Sequence, residues 1–248
     1  MRERCPGARP LASAVAPGYK LSFAGYATKW KGAGACIVPE QSGQVYGGLY
    51  EISEEELDVL DAYETLYERG LIRVINHEGV EQEAITYIKL DEKDTAQPSE
   101  IYVLTILRGF NDFKLPSVEL ARTLIRHQFP CRSFFVYGTL KTNGPNHARF
   151  MTGFKTVTPA IVHGYEVHSA MGMSFIRPVN EGVVQGEYFT FSDEENFNVR
   201  LSRVDKFEWF DPAEVKSSFY ERVLVAAVSN DWPGEKLAWA YAAGERVR

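Results

Sequence analysis

The chain repeats itself. Residues 45–64, VYGGLYEISEEELDVLDAYE, align with residues 184–208, VQGEYFTFSDEENFNVRLSRVDKFE, once a five-residue insertion is allowed in the second copy. Each copy opens on Val-x-Gly, alternates apolar and polar residues as a half-buried strand does, and reaches a serine followed by acidic residues. Each then closes on an apolar residue, Asp, any residue, an aromatic and Glu, and both resume with Tyr-Glu-Arg at Tyr67 and Tyr220 before a fresh apolar strand. A unit repeated in this order folds twice, and 248 residues suffice for two domains of ordinary size. Residues 117–129 read as an amphipathic helix closing the first copy and residues 130–133 as a short linker, which predicts domains over 1–130 and 131–248. Several short strands with turn signals and one or two helices per copy predict an α+β protein, two tandem units each a small, mainly β barrel-like sheet.

Two features of the repeat bear chemistry. The stretch FFVYGTLKTNGPNH, residues 134–147, begins as a strand at Phe134, Phe135 and Val136, then breaks at Tyr137, Gly138 and Thr139 into a polar loop rich in Gly, Pro and Asn. Such a strand end can present unused backbone N–H groups to an anion or carbonyl, and glycine lets a ligand come close; an ordinary strand and turn fits the same residues. The second feature is a glutamate on an apolar helix face. Ser53 to Glu56 and Ser192 to Glu195 have the S-x-x-E form of a capping box, so a helix starts at each. Leu57, Leu60 and Glu64 stand at offsets of zero, three and seven, as do Leu201, Val204 and Glu208, which turns both glutamates inward. A carboxyl there is costly to ionise and suited to general acid–base work, unless it merely bonds backbone at the helix end or reaches water.

Composition excludes other classes. A net charge of −6 and the lack of a basic stripe with interleaved aromatics argue against nucleic acid. No run approaches the ~20 apolar residues of a membrane span. Cys5, Cys36 and Cys131 are far apart and odd in number, and the five histidines form no ligand spacing, so neither disulfides nor a metal site is expected. Pro10 and Pro17 interrupt the amino-terminal stretch where a signal peptide needs a continuous apolar core, so a cytoplasmic location is expected.

Together the motifs resemble the γ-glutamylcyclotransferase superfamily. The second half resembles its γ-glutamylamine cyclotransferase branch, through YGTLK at 137–141, the following NGPNH, Gly186 in VVQGEYF, YERV and VDKFE ending in Glu208. The first half resembles the broader γ-glutamylcyclotransferase-like branch, through RCPGA, GYKLSF, VYGGLYEIS, LDAYE and PSEIYVLTILRGFNDFKLP. The resemblance implies cofactor-free chemistry on a small γ-glutamyl amide, whose own α-amine attacks its γ-carbonyl to give 5-oxoproline and a free amine or peptide. By the same resemblance the N–H groups of Gly138, Thr139 and Leu140 would hold substrate and developing oxyanion, Tyr137 would shape the floor, Tyr220 would join the binding wall, and Glu208 would move the proton.

The pattern is broken in two places. Glu64 has the right motif but no Tyr-Gly-Ser/Thr loop before it, and in the family RCPGA lies on the helix just after that loop; either the true start lies upstream of Met1, or this half lacks its first strand and half its site, and as the sequence stands Glu64 is expected to be vestigial. An unpaired sheet edge must be covered, by the other domain, an adjacent loop or another chain, so an oligomer through that sheet is one expectation. In the second half, Glu208 and Tyr220 are twelve positions apart where Glu64 and Tyr67 are three, and the longer loop is expected to cap or reshape the pocket. The competing reading is a catalytically lapsed module that binds a small molecule or regulates, which a pocket plugged by Trp209, Phe210 or that loop would favour. The sequence leaves the leaving amine open.

Overall fold

The computed structural model describes residues 4–89, 96–170, 173–211 and 218–244. These divide into two compact units, residues 1–119 with 123–129, and residues 120–122 with 130–248. Both are sheets with few helices, an α+β architecture.

In the first unit, β1 (Arg9–Ala27) and β2 (Gly32–Glu51) form a long antiparallel hairpin, followed by α1 (Glu54–Tyr63), β3 (Tyr67–Asn76) and β4 (Glu81–Lys89). The sheet order is β2-β1-β3-β4. Ser53 caps α1 by the capping box expected, accepting from the Glu56 N–H while the Glu56 carboxylate accepts from the Ser53 N–H. Then come α2 (Glu100–Asp112) and α3 (Val118–Arg126). Residues 4–8 form a turn, closed by the Ala8 N–H on Cys5 O, rather than the helix the family pattern suggested.

The second unit runs through β5 (Ser133–Val136), α4 (His147–Phe150), β6 (Thr156–Ala170), β7 (Met173–Thr190), α5 (Glu194–Phe207), β8 (Tyr220–Val228) and β9 (Glu235–Ala243). Strands β7, β6, β8 and β9 repeat the order β2-β1-β3-β4, and β5 closes the sheet into a barrel by pairing antiparallel with β7 and parallel with β9. Its centre is packed with Phe135, Val162, Ile176, Val184, Val223 and Val225. The long hairpin β6–β7 slips register at Gly164, whose φ of +79° suits a bulge that bends the strand around the barrel. Helix α5 is capped by Asp193, whose carboxylate accepts from the Asn196 N–H at 2.7 Å, one residue past the serine of the sequence motif. Ser192 instead donates to that carboxylate.

Among the described residues of the first unit, no strand corresponds to β5. Helix α2 and the residues on either side of it lie over part of the β2 edge: Ala33 N–H donates to Gln97 O, Ala35 N–H to the Tyr102 hydroxyl, and the Phe113 ring packs on the backbone of Gly48.

Candidate functional site

In the second unit, the end of β5, the loop after it and the end of α5 enclose a cavity of about 940 Å³. Tyr137, Gly138, Thr139, Leu140, Glu208 and Tyr220 all line it. Fold and sequence explain how each arrives there. Strand β5 is buried along its whole length and ends where Gly138 begins a loop that turns back on itself. Lys141 N–H bonds Gly138 O, Asn146 N–H bonds Thr139 O, and the His147 ring, through Nδ1 at 3.0 Å, bonds Leu140 O. A carbonyl only accepts, so that ring nitrogen carries the hydrogen. The Glu187 carboxylate beside Gly186 takes the Thr142 N–H at 2.6 Å. The loop thus spends its carbonyls on itself. Among the described residues, no protein group accepts from the N–H groups of Gly138, Thr139 and Leu140, an arrangement suited to an anion or a polarised carbonyl. A Cβ built on Gly138 meets no atom within 4 Å, so packing does not require glycine there. Gly186 is different: a Cβ there would strike Val136 O and the Phe135 ring, so it allows β5 to approach β7.

Glu208 sits at the C-cap of α5, with its N–H on Val204 O at 2.8 Å. Burial in the cavity wall raises its carboxyl to about 8, as the inward offset of the helix motif implied. Tyr137 and Tyr220 are pushed upward as well, first by burial and then by the charge of Glu208. Their hydroxyls are committed to backbone. Tyr137 donates to Tyr241 O at 2.6 Å and accepts from Ile176 N–H, and Tyr220 donates to Ser174 O at 3.1 Å. Both rings brace the floor and neither is a free proton donor. Trp209 and Phe210 do not plug the cavity: Trp209 is 69% exposed at its wall and Phe210 is buried against Tyr241. Of the longer loop, residues 212–217 lie outside the described residues.

A family model, gamma-glutamyl cyclotransferase, AIG2-like, matches residues 2–103 and 134–248. The chain belongs to this family. The match falls in two regions, as the repeat does, and the cyclotransferase fold is thus present twice. Among solved structures, the Bacillus subtilis protein YkqA shares the fold at 16% identity and a TM-score of 0.53, covering 98% of this chain and 78% of that one. A structure titled gamma-glutamyl cyclotransferase matches 46% of this chain and 72% of its own at 24% identity and TM-score 0.45. An AIG2-like protein from Mus musculus matches 46% and 78% at 20% identity and TM-score 0.35. No curated protein matches the chain.

The first cyclotransferase unit treats its glutamate differently. Glu64 caps α1 as Glu208 caps α5, but Arg4 Nη1 lies 2.6 Å from Glu64 Oε1, with the guanidinium stacked on the Tyr63 ring at 4.9 Å. Tyr67, the counterpart of Tyr220, donates to Ala35 O, and burial raises its phenol to about 12. No described residue group in either unit could hold a metal ion.

Sequence reasoning missed one constellation that both units contain. In the second, Arg222 Nη1 reaches both oxygens of Asp205 at 2.9 and 3.2 Å, and the Tyr241 hydroxyl donates to Asp205 Oδ1 at 2.6 Å. In the first, Arg69 pairs with Asp61 at 3.0 Å and Tyr87 donates to Asp61 at 2.7 Å. Each Asp stands three residues before the glutamate, and each Arg two after the repeat's tyrosine, so the alignment already held the signal. The triangle occurs beside the Arg4-paired Glu64 as well as beside Glu208. It therefore ties the helix to the sheet and is not itself a mark of chemistry.

Proposed function

We propose that the second unit is a γ-glutamyl cyclotransferase that releases 5-oxoproline and a free amine or peptide from γ-glutamyl amides. The observation that carries this reading is that a half-buried, proton-retaining Glu208 and three uncommitted backbone N–H groups line one cavity. The reaction joins two parts of a single molecule, so the protein has to fold the substrate, polarise its carbonyl and move a proton. Glu208 as carboxylate takes a proton from the substrate's α-ammonium. The freed nitrogen attacks the γ-carbonyl carbon, and the oxyanion that develops is held by the N–H groups of Gly138, Thr139 and Leu140. The tetrahedral carbon then expels the leaving amine as Glu208 gives that proton to its nitrogen, and the second proton of the ring nitrogen passes by the same carboxylate to the amine, which departs as an ammonium, so no proton is gained or lost overall. In the first unit, the Glu64 carboxylate is held by Arg4, which supports a non-catalytic role for that half.

The test is 5-oxoproline release from a panel of γ-glutamyl amines and peptides by the wild type, Glu208→Gln and Glu64→Gln. The reading expects turnover by the wild type and Glu64→Gln, with kcat lowered about 10²–10⁴-fold in Glu208→Gln, the usual worth of a positioned acid–base group. Folded protein that turns over nothing on the panel would favour the small-molecule binding module instead.

A further inference from the structure

Trp209 follows Glu208 directly and holds φ at +52°. It is the residue just past the end of α5, where Phe210 N–H bonds Asp205 O at 2.9 Å and Trp209 N–H bonds Lys206 O at 3.4 Å. Helices that end with this pair of bonds place a left-handed residue at that position, and glycine is the usual choice because a Cβ is penalised there. The chain instead carries its largest side chain at this point and leaves it 69% exposed, touching Phe219 edge-on with ring centroids 5.6 Å apart. Neither helix termination nor core packing calls for an indole here. Its place in the cavity wall does.

Beside the polar loop residues Thr142, Asn143 and Asn146, the same cavity carries further large apolar side chains. Phe207, Phe219, Met151 and Met173 join Trp209, and among the described residues lining the cavity the only charged ones are Glu208 and Lys141. Because Glu208 hands its proton to the departing nitrogen, the substituent on that nitrogen must extend from the carboxyl outward, and the next residue along the chain is Trp209. Building on the cyclotransferase reading, we propose that Trp209 with Phe219 forms the platform for the leaving group, and that the preferred substrates are γ-glutamyl amides of arylalkyl amines. A ring on the amine stacks on the indole or meets its edge, a contact that adds to the area it buries against the methionines.

The experiment compares γ-glutamyl phenethylamide, γ-glutamyl ethylamide and γ-glutamyl-ε-lysine on the full chain, by equilibrium binding and by 5-oxoproline release. The phenethylamide is expected to lead both others by about tenfold or more in Kd and kcat/KM, which is the reach of one stacking contact with its burial. That ratio should fall toward one in Trp209→Gly and survive in Trp209→Phe. Glycine suits the left-handed position, so the melting temperature of Trp209→Gly should not drop, and a lost preference cannot be put down to unfolding. Ratios near one in the wild type, ratios unchanged in Trp209→Gly, or a preference for the lysine amide would overturn the platform. Selective binding without 5-oxoproline release overturns the cyclotransferase reading and leaves the platform standing; release without preference does the reverse.

Discussion

At the scale of single residues, the proposed role of Glu208 fixes how activity and stability should respond to pH. Its folded pKa of about 8 lies above the ordinary carboxyl value, so the free protein holds it mostly protonated at pH 7. The reactive pair contains one fewer proton than that resting state, so kcat/KM should climb from pH 6 to about 8. A bound ammonium lowers the carboxyl's pKa, which should move the corresponding limb of kcat to lower pH. A rate profile flat from pH 6 to 9 would remove Glu208 from the chemistry. The stability effect has a definite sign. Below the unfolded pKa near 4.5 the group is protonated folded and unfolded, and burial costs nothing through titration. Between there and about 8 the unfolded chain releases a proton that the folded one keeps, so the wild type loses stability as pH rises. Glu208→Gln should therefore match the wild type at pH 4 and exceed it at pH 8, by an amount on the order of 2 kcal/mol in denaturant titrations. Gly138 tests the loop. Alanine there meets no protein atom, so Gly138→Ala should melt within a degree or two of the wild type while losing about 10-fold or more in kcat/KM, since its methyl group projects into open space at the substrate cradle.

At the scale of elements, the duplicated Asp–Arg–Tyr triangle allows one interaction to be compared in two environments. The Asp205–Arg222 pair is largely buried, with side-chain exposures of 16% and 6%, and the guanidinium also lies over the Phe210 and Trp239 rings. Asp61 and Arg69 are 38% and 46% exposed. Arg222→Leu strands a carboxylate in the interior and should cost about 3–5 kcal/mol, whereas Arg69→Leu should cost under about 1 kcal/mol in the same unfolding experiment. The element scale is also where the sequence was most legible. Alternation announced β2 and β7, and the serine-acidic motifs found the starts of α1 and α5 to within a residue, because local hydrogen bonding sets both. The inward offset of Glu208 was readable from helical spacing alone. The Arg4–Glu64 pair, sixty positions apart in sequence, was not, since no local pattern states which distant side chain meets a helix end. The triangles escaped for a different reason: their residues were visible in the alignment, but adjacent strands β8 and β9 had to be in register before Arg222 and Tyr241 could be seen to converge on one carboxylate.

At the scale of the whole molecule, the two units repeat one sheet order, to which β5 adds closure in the second. Closure in the second leaves it with a continuous ladder and its own apolar centre, so residues 117–248, which keep the 120–122 segment with that unit, should fold alone and release 5-oxoproline. Residues 1–129 should release none. An insoluble or inert second fragment beside an active full chain would assign the first unit a supporting role. Strand β5 also has a temporal consequence. It comes first in its unit yet pairs with residues about fifty positions on in β7 and, through Phe134 and Trp239, a hundred and five positions on in β9. Contacts so far apart along the chain close late, after hairpins such as β8–β9 have already formed. The loop after β5 hangs from the last stave to be fitted. In refolding, secondary structure should therefore return before the capacity to bind, and the lag between them would time the closing of the barrel.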